Sequence, residues 1–174
     1  MGGWHDFFIL AGTAAATLVG LLFVGLSLHL RIVVASSEVR SLARVTLANF
    51  GAVLFVALFM VIPETQSAAA SQLIGSGLIS LVVTAPSLIP AQGPGRRLRL
   101  QRKTRLRLLL RFGLSTASYV AIIVAGILLF SSLSWALTVL VTAIIVLLVL
   151  ALRNTWDLLV TVGDQTLGRE TGKD

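Results

Sequence analysis

The sequence predicts an all-α fold, a multi-pass transmembrane helical bundle of five spans, and three observations carry that reading. Of 174 residues, 56% are hydrophobic and 12% charged, against about 25% charged in an ordinary soluble domain. Five apolar windows approach the ~20 residues needed to cross roughly 30 Å of hydrocarbon. All 14 lysines and arginines fall in alternate connecting segments. A soluble domain of this length would need far more polar surface to cover its core than these charges provide. The composition also excludes a disordered chain, and the absence of cysteine excludes a disulfide scaffold.

The first window runs from Phe7 to Leu30, the second from Leu42 to Ile62 and the third from Gln66 to Ile89. The fourth, Leu108 to Phe130, and the fifth, Trp135 to Leu152, are separated only by Ser131 to Ser134, which requires a tight hairpin. Pro63 closes the second window, while Pro86, Pro90 and Pro94 with Gly93 and Gly95 mark the break after the third. Residues 1–153 therefore form a single transmembrane domain with a basic loop at 90–107, followed by a tail at 154–174. The alternative is four spans plus a helix lying in the interface.

Lysine and arginine stay on the cytoplasmic side of a membrane. With the N-terminus outside, the inner segments 31–44, 90–111 and 153–174 hold three, eight and three basic residues. The outer segments hold none, only Asp6 and Glu64. Trp4, Phe7, Phe8 and Trp135 fall at the outer boundary and Trp156 at the inner one, where amphipathic rings anchor spans. Met1 to Phe8 lacks the basic start of a signal peptide, so the first helix is expected to remain. The expected location is a bacterial cytoplasmic (inner) membrane, N-terminus outside and C-terminus cytoplasmic.

Reactive side chains are few. His5 and His29 lie 24 residues apart on one helix, about 36 Å at 1.5 Å per residue, too far to share a metal within one chain. Without cysteine there is no thiolate site, so no metal and no cofactor is expected. No Asp, Glu, His, Lys or Arg lies near the centre of a span, which argues against proton-coupled transport. Gly75-Ser76-Gly77 is similar to the glycine-flanked serine of rhomboid proteases, but isoleucine occupies the preceding glycine position and no histidine lies mid-membrane. The expectation is a protein that is not an enzyme.

Two small-residue ridges suit close helix approach: Gly12, Ala16 and Gly20 in the first span, and Gly113, Ala117, Ala121 and Ala125 in the fourth. Spacing leaves open whether they pack inside one chain or between chains. The third span carries a polar stripe, Gln72, Ser76, Ser80 and Thr84, widened by Ser67, Ser71 and Gly75. The fifth adds Ser134, Thr138 and Thr142, and the second adds Asn49. Either these groups bond to their own helices and across the bundle, or they line a wet path. Five helices leave little room for a conduit, so a pore requires a ring of subunits.

Arg96, Arg97, Arg99, Arg102, Lys103, Arg105, Arg107 and Arg111 exceed what topology requires. Each basic residue near an anionic leaflet gains about 1 kcal/mol, which makes anionic lipid the expected partner of this loop, with an acidic protein partner as the alternative. Without aromatic interleaving or a recognisable binding module, nucleic acid is not an expected partner.

Trp4-His-Asp-Phe-Phe8, followed by Gly12-Thr-Ala-Ala-Ala-Thr-Leu-Val-Gly-Leu-Leu-Phe-Val-Gly-Leu-Ser-Leu28, resembles the start of a family of small bacterial multi-pass membrane proteins of uncharacterised activity. The ending Arg153-Asn-Thr-Trp-Asp-Leu-Leu-Val160 is similar to theirs. The resemblance covers about a quarter of the chain and implies a bacterial setting without an activity. The function expected from the residues is a homo-oligomeric pore for ions or small solutes lined by the third span; the alternative is a noncatalytic accessory subunit that binds another membrane protein complex.

Overall fold

A computed structural model describes residues 2–62, 65–88, 102–131 and 135–170. Every regular element among them is a helix: α1 (Gly2–Leu28), α2 (Leu30–Ala35), α3 (Ser37–Val61), α4 (Gln66–Leu88), α5 (Arg102–Phe130) and α6 (Trp135–Glu170). Five of the six are long and apolar enough to cross a membrane, over Trp4–Leu28, Val39–Val61, Gln66–Pro86, Gly113–Phe130 and Trp135–Gly163. The protein is an all-α multi-pass bundle.

The junction between the first two spans holds a short helix that the apolar windows do not show. The chain turns at His29, whose Nδ1 lies 3.2 Å from Gly25 O, and continues as α2. Ser36 then caps α3: its extended backbone stops the preceding helix, and its Oγ accepts from Val39 N–H at 3.4 Å. Helix α3 thus begins five residues before Leu42, because a capping serine sets a helix start and hydropathy sees only the apolar part. Arg40, in the extra turn, donates from Nη2 to Val34 O at 3.0 Å and ties α3 back to α2.

Helix α5 starts at Arg102, so the last part of the basic loop is helical. Arg96, Arg97 and Arg99 lie outside the described residues, as do the side chains of Arg102, Lys103, Arg105, Arg107 and Arg111. Helix α6 runs unbroken for 36 residues, about 54 Å at 1.5 Å per residue, well beyond the ~30 Å of hydrocarbon. Past Arg153, Asn154, Leu158 and Val162 recur every four residues and are buried. This extension packs near the end of α1, where a Cβ on Gly25 would touch Leu159 Cδ2 at 3.6 Å.

Helices α3, α4, α5 and α6 contact one another in a closed ring, and α1 packs on α3 outside it. The ring is filled by Phe50, Leu73, Tyr119, Ile122, Ile144 and Leu147, none more than 1% exposed. The α4–α5 pair is tightly packed at two glycines: a Cβ on Gly126 would lie 2.9 Å from Ala70 O, and one on Gly77 3.1 Å from Tyr119 O. Gln66 fastens the ends of the same pair, donating from Nε2 to Leu129 O at 2.6 Å.

Candidate functional site: a polar core beside an apolar cleft

Asn49 lies ten residues beyond Val39, about 15 Å along α3 at 1.5 Å per residue, and so near the middle of the span. An amide there must find partners inside the protein, because hydrocarbon offers none. Ser115 and Tyr119, one turn apart on α5, supply both. Asn49 Nδ2–H donates to Ser115 Oγ at 3.2 Å, and Asn49 Oδ1 accepts from the Tyr119 hydroxyl at 2.5 Å. All three side chains are buried. The bridge spans the ring diagonally, between two helices that are not neighbours around it.

Asn49 was legible as a polar residue in mid-span, but its partners were not singled out. The signal for them lay in Ser115-Thr-Ala-Ser-Tyr119, a polar run inside the fourth window with Ser115 and Tyr119 at i, i+4. The small-residue spacing of Gly113, Ala117 and Ala121 overlaps that run and describes a different side of the same helix.

The polar stripe of α4 faces inward over most of its length. Ser76, Ser80 and Thr84 are buried and Gln72 half-buried. Their hydroxyls bond to their own helix: Ser76 Oγ donates to Leu73 O at 2.9 Å, Ser80 Oγ to Ser76 O at 2.8 Å and Thr84 Oγ1 to Ser80 O at 2.7 Å. Thr142 does the same on α6, donating to Thr138 O at 2.8 Å. Ser134 lies outside the described residues.

Between α3 and α4, with Val19 of α1 also in its wall, is a cleft of about 630 Å³ with Arg44 at one end and Phe59 at the other. Gln72, Ser76 and Ser80 border it, and the rest of its walls are apolar apart from Arg44. Its width has a simple cause. Gly51 of α3 and Gly75 of α4 both line it, and a Cβ built on either would meet nothing within 4 Å.

The two ridges wind around their helices. At 100° per residue, each step of four advances about 40° beyond a full turn, so a ridge of four-residue steps leaves one face and reaches another. In α1, Gly12 approaches Ala57, where a Cβ would lie at 3.0 Å, while Ala16 and Gly20 are exposed. The side of α1 that packs on the bundle is Phe8, Ala11, Ala15 and Leu22. In α5, Gly113 and Ala117 are exposed, Ala121 is half-buried and Ala125 is buried.

Among the described residues no three His, Cys, Asp or Glu side chains are grouped as a metal site. Together the five spans and the buried polar bridge define a multi-pass α-helical membrane protein. No family model, curated protein or solved structure matches the chain.

Proposed function

We propose that the protein is a noncatalytic accessory subunit of a membrane assembly, binding a transmembrane helix of its partner along α1. The carrying observation is how α1 is used. It packs through Phe8, Ala11, Ala15 and Leu22 and leaves Thr13, Thr17 and Gly20 exposed on the opposite side. Thr13 and Thr17 already donate to Ile9 O and Thr13 O at 2.8 and 2.9 Å, so this side offers a smooth strip without unmet polar groups. Small residues in such a strip let a second helix come close enough for backbone packing, one of the attractions that join helices in lipid.

A second reading, a homo-oligomeric pore, is favoured by one observation: Gln72, Ser76 and Ser80 border the open α3–α4 cleft, which neighbouring copies could enclose. Against it, the ring of one protomer is filled with side chains, and the α4 hydroxyl protons are already donated to carbonyls of that helix. Two experiments separate the readings. A photo-crosslinking residue at Gly20 should capture a different membrane protein in cells, and one at the buried Ala15 should capture none. Recovery of self-crosslinked species alone, together with ion flux from liposomes that Ser76→Leu/Ser80→Leu abolishes, would instead establish the pore.

A further inference from the structure

We propose that the α3–α4 cleft holds one acyl chain of an anionic phospholipid, with the lipid phosphate on Arg44. The volume and length of the cleft suit such a group. The lining runs from Arg44 to Phe59, about 22 Å along the helix axis. At about 630 Å³ the space lies within the ~300–1,000 Å³ of sites that take small ligands. Its length exceeds the ~15 Å hydrocarbon depth of one leaflet, so a chain entering at the Arg44 end has wall along its whole reach.

The walls match that occupant. Gly51, Phe55, Gly75 and Ile79 present apolar surface, and the hydroxyls of Ser76 and Ser80 are turned to their own helix carbonyls. Charge complements the other end. Arg44 is exposed five residues into the membrane-crossing part of α3, and Arg40 stands four residues earlier on the same face, near its first residue Val39. A guanidinium pairs with phosphate through two parallel hydrogen bonds, which zwitterionic lipids satisfy less well because their own cation competes.

This proposal is independent of the α1 partner reading, and its test is separate. The full chain, in mild detergent, is mixed with phosphatidylglycerol or with phosphatidylcholine of the same acyl chains, and retained lipid is counted by native mass spectrometry. One phosphatidylglycerol per protomer is expected, held roughly tenfold more tightly than phosphatidylcholine, the factor of one charge-assisted bond. Gly51→Leu and Gly75→Leu each place a side chain in the open cleft and should lose both lipids while keeping native thermal unfolding. Either glycine variant serves if the other fails to fold. Arg44→Gln should keep the chain and lose the headgroup preference. Full retention by a folded glycine variant, an unchanged preference in Arg44→Gln, or a dimer that closes the cleft without lipid would each overturn the proposal.

Discussion

The Tyr119 hydroxyl on α5 donates to Asn49 Oδ1 on α3 across 2.5 Å, joining two helices that face each other across the four-helix ring. Because Asn49 also donates to Ser115 at 3.2 Å, one amide fixes the register of two spans at mid-membrane depth. Apolar contacts around it tolerate sliding or rotation more readily, since they lack direction. The bridge gives the ring one orientation.

A double-mutant cycle should detect that bridge. Tyr119→Phe removes the donor and leaves Asn49 Oδ1 buried, while Asn49→Leu removes both bonds. Interhelical bonds in membranes contribute about 0.6 kcal/mol on average and up to about 1.7, and the complete burial here places the expected coupling in the upper half of that range. Unfolding in mixed detergent micelles measures it. Strictly additive single variants would show that the two residues do not cooperate.

The α4 hydroxyls should behave differently. Ser80→Ala and Thr84→Val remove only bonds to carbonyls of the same helix, which retain the helical N–H bond. Each should change stability by less than about 0.6 kcal/mol. Ser115→Ala, which strips Asn49 Nδ2 of its acceptor, should cost more than either. The same micelle titration gives the ranking.

Two glycines on α5 should respond differently to alanine. At Gly126 a Cβ would lie 2.9 Å from the Ala70 carbonyl oxygen and 2.9 Å from Ile74 Cγ1, so Gly126→Ala must separate α4 from α5 and should cost about 1–3 kcal/mol. At Gly113 a Cβ meets nothing within 4 Å, and alanine there should be neutral or stabilise by up to about 1 kcal/mol through helix propensity. Thermal unfolding of the two variants checks the contrast.

The orientation expected from the basic residues also has a direct check. The native chain contains no cysteine, so single exposed cysteines can be introduced without background. Thr65→Cys and Ser131→Cys should react with an impermeant maleimide added to intact cells, whereas Arg31→Cys should react only after lysis. The reverse pattern would invert the topology.

Span number was legible because crossing a bilayer imposes a length and a polarity that few other folds share. The helix starts were less so: Ser36 caps α3 ahead of its apolar window, and α5 extends back into the basic loop to Arg102. Hydropathy cannot see helix that continues beyond the apolar residues. The polar stripe of α4 was visible as spacing, yet spacing could not tell a lined path from hydroxyls folded back on their own carbonyls, since both need the same residues at the same interval.

What the sequence alone determined is therefore the architecture: five membrane helices joined so that basic residues gather in alternate segments, a consequence of composition and of the bilayer as solvent. What only the tertiary structure decided is which faces meet. A four-residue repeat drifts about 40° per step, so Gly12 touches Ala57 while Gly20 turns outward, and Gly51 and Gly75 border a cleft only because α3 and α4 bring them together. Helix rotation is a property of pairs, set by the Asn49 bridge and by the glycine contacts of α4 with α5. No single helix carries that information in its own residues.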